Sequence, residues 1–171
     1  KSKTIIKKAS KITLSKSSYT YTGKIIKDPT VRVKDSSGKT IAKSNYTIVK
    51  PKNVKKMKAI GKYTYTIKFK GDKYTGTKKV TLTIKPAKTT VKKVTAAKKA
   101  VTVKWKKGKK AQVTGYQVMV ATNKKFTKNV KKTFVKGYSK TSCKITKLKA
   151  KKTYYVKVRA YKTVKGVKIY S

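Results

Sequence analysis

The chain has 171 residues, of which 51 are Lys or Arg and 3 are Asp or Glu, with no His, for a net charge of +48. With no His and one Cys, a Ser-His-Asp triad, a Cys-His pair and a zinc site are excluded. The three acids, Asp28, Asp35 and Asp72, are too few and too scattered for carboxylate-pair hydrolysis or a calcium cage. Charge this one-sided often means disorder, but apolar residues still make up 37% of the chain and alternate regularly. A compact 19.2 kDa globule exposes roughly 8,000 Å², which leaves roughly 160 Å² per cation and about 13 Å between neighbours. The Debye length is about 8 Å at physiological salt, so a fold is tolerable and its stability is expected to depend on salt.

In chain order, residues 1–8 (KSKTIIKK) read as a lead-in segment. The chain lacks a starting Met and a signal peptide, so it reads as a fragment of a longer protein. Residues 9–86 read as one all-β unit. Ile12 and Leu14 alternate, then Tyr19 and Tyr21, then Val31 and Val33, before the turn signal Asp35-Ser36-Ser37-Gly38. Tyr46 and Ile48 follow, and residues 50–61 form a loop. Tyr63, Tyr65, Ile67 and Phe69 alternate with Lys and Thr, and Val80, Leu82 and Ile84 close the unit.

This half resembles the Ig-like repeats of secreted bacterial surface proteins. The likeness lies in YTYTGK (19–24), VRVKDSSGKTI (31–41), NYTI (45–48), GKYTYTIKFKGDKYTGT (61–77) and TLTIKP (81–86). It implies a spacer or adhesion module and carries over no catalytic residue.

Pro86 ends the first unit, and residues 87–171 read as a second. Val91 and Val94 open it, Val101, Val103 and Trp105 alternate, and Lys107-Gly108-Lys109-Lys110 is a charged turn. Tyr116, Val118 and Val120 alternate again. Cys143 and Ile145 lead to Leu148, Tyr154 follows six residues later, and Val156, Val158 and Ala160 alternate after it. A hairpin turn is expected around Gly166, with a last strand that is cut short and poorly paired. An early Trp105, the Gly115-Tyr116 strand opening and the Leu148…Tyr154 corner resemble a fibronectin type III domain. The resemblance implies that Trp105, Leu148 and Tyr154 are core residues and not a ligand site. Cys143 is expected to be a buried core thiol, with no His available to activate it.

The expected fold class is therefore all-β: two tandem β-sandwiches, Ig-like at 9–86 and fibronectin type III-like at 87–171. The longest apolar run, Val118–Ala121, is four residues, far below the roughly 20 that span a bilayer. No cofactor or metal is expected, and an enzyme ranks last.

What remains is the Lys pattern. Alternating Lys residues form the solvated faces and guarded edges of sheets, and +48 must also attract anions. The candidate polyanion-binding residues are Lys50, Lys52, Lys55, Lys56 and Lys58 in one cluster and Lys104, Lys106, Lys107, Lys109 and Lys110 in another. Two more dense stretches lie at 124–132 and 147–152. Arg occurs only at 32 and 159, so geometric base readout is not expected. Lys takes phosphate or sulfate as a point charge.

The sequence thus reads as a monomeric, extracellular, cell-surface or wall-associated adhesion module. Its partners would be wall teichoic acid, sulfated glycan and, non-specifically, nucleic acid. The alternatives are a passive spacer in a larger secreted enzyme or adhesin, and a module binding a host protein through loops at one end of a sandwich.

Overall fold

Strands follow where β-branched and aromatic residues alternate with Lys and Thr, because one face of each pleated strand then meets a core and the other meets water. The computed structural model describes residues 2–5 and 11–171. Part of the lead-in expected at 1–8, and the first two residues of the unit expected at 9–86, lie outside the described residues. The architecture is all-β, with two β-sandwich units in sequence, Lys1–Ile84 and Lys85–Ser171.

The first unit contains β1 (Thr4–Ile5), β2 (Lys11–Leu14), β3 (Ser18–Thr20), β4 (Val31–Lys34), β5 (Tyr46–Val49), β6 (Gly61–Phe69), β7 (Tyr74–Thr75) and β8 (Thr77–Lys85). A four-stranded sheet runs in the order β3-β8-β6-β5, and β2 pairs antiparallel with β4. β1 lies parallel to β7. The longest pairing joins β6 to β8, from Gly61 opposite Ile84 to Lys68 opposite Thr77. Val33, Ile41, Tyr46, Ile67 and Phe69 form one core cluster. The turn read from Asp35-Ser36-Ser37-Gly38 is closed by the Asp35 carboxylate, which accepts hydrogen bonds from the Ser37 hydroxyl at 2.7 Å and from the Ser37 and Lys39 amides at 2.9 Å. The stretch read as a plain loop, 50–61, holds a short 3-10 turn at Val54–Lys56, after which Met57 is fully buried.

The second unit contains β9 (Val91–Ala97), β10 (Ala100–Trp105), β11 (Gly115–Ala121), β12 (Lys131–Lys136), β13 (Ser142–Ile145), β14 (Tyr155–Val164) and β15 (Val167–Tyr170). Two sheets face each other, β13-β10-β9 and β12-β11-β14-β15. Between them lies a core of Val101, Val103, Trp105, Tyr116, Val118, Val120, Ile145, Leu148, Val158 and Ala160. Trp105 and Leu148 are buried, as the sequence implies. Tyr154 is half-buried, and its hydroxyl accepts a 2.9 Å hydrogen bond from the Lys149 amide.

Two expectations are corrected. The last strand is paired along its length, with Val167–Tyr170 opposite Val164 back to Tyr161. The Lys165-Gly166 turn makes this possible: φ of 50° and 77° match the primed two-residue turns that fit strand twist. β11 also breaks the expected one-sided pattern, because every residue from Gly115 to Ala121 is buried. Its outer face is covered, and by what is described below.

Candidate anion-binding surfaces

The first predicted cluster belongs to the first unit. Lys52, Lys55, Lys56 and Lys58 are exposed around the 3-10 turn. Lys50 differs, because its ammonium is ion-paired with Asp28. The same carboxylate accepts the Tyr65 hydroxyl at 2.5 Å from inside β6. Burial alone would raise the Asp28 pKa. Hydrogen bonds from Lys50 and Tyr65, with the Lys50 charge, outweigh it and hold the carboxyl below its ordinary value. Burial, then the Asp28 hydrogen bond and charge, push the Tyr65 phenol far above its ordinary value. Lys50 is thus structural, which leaves four free cations in that cluster.

The second predicted cluster is split by the fold. Lys104 lies on the outer face of β10, opposite Lys93 of β9 and Ser142 of β13. Lys106, Lys107, Lys109 and Lys110 belong to the exposed connection to β11. That connection is anchored by Tyr116, whose hydroxyl accepts from the Gly108 amide and donates to the Tyr138 carbonyl, each at 2.7 Å. The backbone is therefore fixed while the Lys stems remain free.

Sequence reasoning missed the outer face of the β12-β11-β14-β15 sheet. Register places Phe134, Gln117 and Arg159 in one row across three strands, and Lys136, Gly115, Tyr161 and Tyr170 in the next. Lys132, Met119 and Lys157 form a third. The Arg159 guanidinium lies 3.6 Å from the centre of the Tyr170 ring, and its Nε donates to Gln117 Oε1 at 2.7 Å. Lys157 sits 4.1 Å over Phe126. Lys168 is 5.0 Å from the Phe134 centre and 5.5 Å from that of Tyr161. Phe134 meets Tyr161 edge-on at 5.8 Å, and Tyr161 meets Tyr170 at 6.2 Å. Gly115 lets Tyr161 lie across the sheet: a Cβ there would stand 2.6 Å from the Tyr161 hydroxyl oxygen and from the Val135 carbonyl oxygen. A layer of rings and cations thus buries the outer side of β11. One signal was available: GYQVMVA holds no Lys, whereas every other strand of the second unit carries at least one.

Cys143 is half-buried against the core beside Val103, and burial pushes its thiol pKa up, away from reactivity. Among the described residues no three His, Cys, Asp or Glu side chains group as metal ligands. Among them no helix is long and apolar enough to cross a membrane.

The two facing antiparallel sheets, with Trp105 against Tyr116 at 5.2 Å and the Leu148–Tyr154 corner, point to one family. Residues 84–168 match the family model of the fibronectin type III domain. Fibronectin type III domains are typically extracellular modules in adhesion or spacer roles and are generally non-catalytic. Among solved structures, the chain is similar to the chicken CNTN1 FN1-FN3 domains, at 13% identity and a TM-score of 0.40, over 92% of this chain and 62% of that one. It is also similar to a crystal structure of titin domains, at 12% identity and a TM-score of 0.32, over 88% of this chain and 60% of that one. The chain thus spans about three fifths of the length of these relatives. No curated protein sequence matches it.

Proposed function

We propose that this chain is a non-catalytic adhesion module of a cell-surface or wall-associated protein, and that it holds anionic polymers by its Lys-rich faces. In this reading residues 9–86 serve as a bacterial Ig-like repeat ahead of the fibronectin type III domain. One observation carries the proposal. Residues 85–171 hold 27 Lys and Arg159 and not one Asp or Glu, so their positive charge has no carboxylate side chain in the unit to answer it. Folding gains nothing from such an imbalance, since self-repulsion opposes compaction. A polyanion that binds the folded state would relieve it.

Binding of heparin and of a glycerol-phosphate polymer across a salt series tests the reading. Retention of both polymers at 50 mM salt and release of both by added salt is the expected result. If neither polymer is retained at 50 mM salt, the passive-spacer reading replaces this one.

A further inference from the structure

We infer that the outer face of the β12-β11-β14-β15 sheet holds a discrete receptor for a sulfate or phosphate ester, with Arg159 as its fork. The inference rests on the anionic-polymer reading and moves its binding centre from the loop lysines to this face.

The loop clusters and this face differ in how their cations are held. Lys106, Lys107, Lys109 and Lys110 are exposed on free stems. Arg159 is fixed twice: its Nε is spent on Gln117, which is itself 3% exposed, and its plane lies on Tyr170. That leaves the two terminal amino groups, with four N–H donors in fixed geometry, for a ligand. A planar fork pairs two oxygens of a tetrahedral oxyanion at once, which a Lys ammonium cannot do. Lys157 stands two residues along the same strand, about 7 Å away by strand rise, and is held over Phe126. Lys168, on the neighbouring strand, is held between Phe134 and Tyr161.

The rings direct these cations without neutralising them. A carboxylate side chain as partner would consume the charge, and residues 85–171 contain no Asp or Glu. Cations already held in place lose less freedom when an anion binds, so this face should take the ligand ahead of the loops. Lys132 and Lys136 continue the positive field along β12, and Phe134, 48% exposed, offers a ring to the polymer backbone. Sulfate esters of a glycan and phosphates of a polyol chain share the chemistry the fork reads.

Isothermal titration at 0.15 M salt with a heparin-derived decasaccharide and a glycerol-phosphate decamer tests the site. Arg159→Lys keeps the charge and removes the fork. About tenfold weaker binding is expected, with a nearly unchanged salt slope, and Tyr170→Leu should weaken binding in the same direction. Trp105 emission during thermal unfolding reports that each variant is folded. As a second measurement on the unaltered protein, the Arg159 Nε–H resonance should shift on titration with inorganic sulfate or phosphate. Loss on both polymers supports the shared oxyanion chemistry, and loss on one alone supports the site and names its source. Arg159→Lys binding both polymers like wild type, with a silent Arg159 resonance, overturns the site and leaves the anionic-polymer reading standing. Failure of the wild type to bind either polymer at 0.05 M salt overturns both.

Discussion

Tyr65, fully buried in β6, donates its hydroxyl to Asp28, a residue 37 positions earlier in the chain, at 2.5 Å. Asp28 precedes the buried Pro29, and Lys50 binds the other carboxylate oxygen. The contact fastens the loop between β3 and β4 onto the β6 strand. Tyr65→Phe keeps the ring and removes the donor. It is expected to destabilise the first unit by about 1.5–3 kcal/mol, as for a hydrogen bond to a charged group. Trp105, the chain's single Trp, lies in the second unit and should report no change there. Chemical denaturation followed by tyrosine circular dichroism and Trp emission separates the two signals. Equal loss in both would show that the contact does not act where it is placed.

The same contact fixes a pH window. The folded Asp28 pKa lies below its ordinary value, so its stabilisation is present above about pH 4 and is lost as pH falls through the lower folded value. The folded Tyr65 pKa lies above its ordinary value, so that contribution is present below about pH 10 and is lost as pH rises through the higher folded value. Lys deprotonation also relieves repulsion at high pH, so the measured quantity is the difference between wild type and Tyr65→Phe. That difference should be flat from about pH 5 to 9 and shrink on both sides. A difference that grows above pH 10 would contradict the assignment.

Gly115 has no room for a side chain. A Cβ there meets Val135 backbone oxygen, which cannot move aside, as well as the Tyr161 ring. Gly115→Ala is expected to cost about 1–3 kcal/mol, as overpacking does, and to lift Tyr161 off the sheet. Trp105 emission during urea unfolding measures the first effect. The second appears as a fall in the Tyr161 pKa, which burial, with the Tyr170 charge, now raises. A variant as stable as wild type would mean that the strand separates at no cost.

Much of this fold was legible because its signals are local. Alternation marks the strands, Asp35-Ser36-Ser37-Gly38 and Lys165-Gly166 mark turns, and Trp105 and Leu148 mark a core. What was not legible depends on partners distant in sequence. Asp28 reads as a loop residue until Tyr65 and Lys50 arrive beside it. Gln117, Arg159 and Tyr170 come from three strands, and only the register that sets the Gln117–Arg159 row beside the Tyr161–Tyr170 row holds the guanidinium. Periodicity tells which side of β11 faces out but not that Tyr161 lies over it. The loop lysines stood out instead because their density can be counted along the chain.

The charge itself gives the last prediction. The folded chain exposes 11745 Å² and carries 51 cations, about 230 Å² each and about 15 Å between neighbours. At 0.15 M salt the Debye length of about 8 Å is half that spacing, and at 0.01 M it is about 30 Å, twice the spacing. Repulsion therefore spreads over many neighbours only in dilute buffer. The first unit has three Asp side chains, with one ion pair at Asp28 among its described residues, and the second has no carboxylate side chain at all. Lowering salt from 0.15 to 0.01 M is thus expected to lower the melting temperature of both units and that of the second by more. Differential scanning calorimetry resolves the order, with Trp105 emission assigning the second unit's transition. Added decasaccharide at 0.01 M should restore the loss, since a ligand of the folded state stabilises it by mass action. A second unit whose melting temperature is indifferent to salt would mean that its cations are neutralised within the fold, and the polyanion reading would lose its driving force.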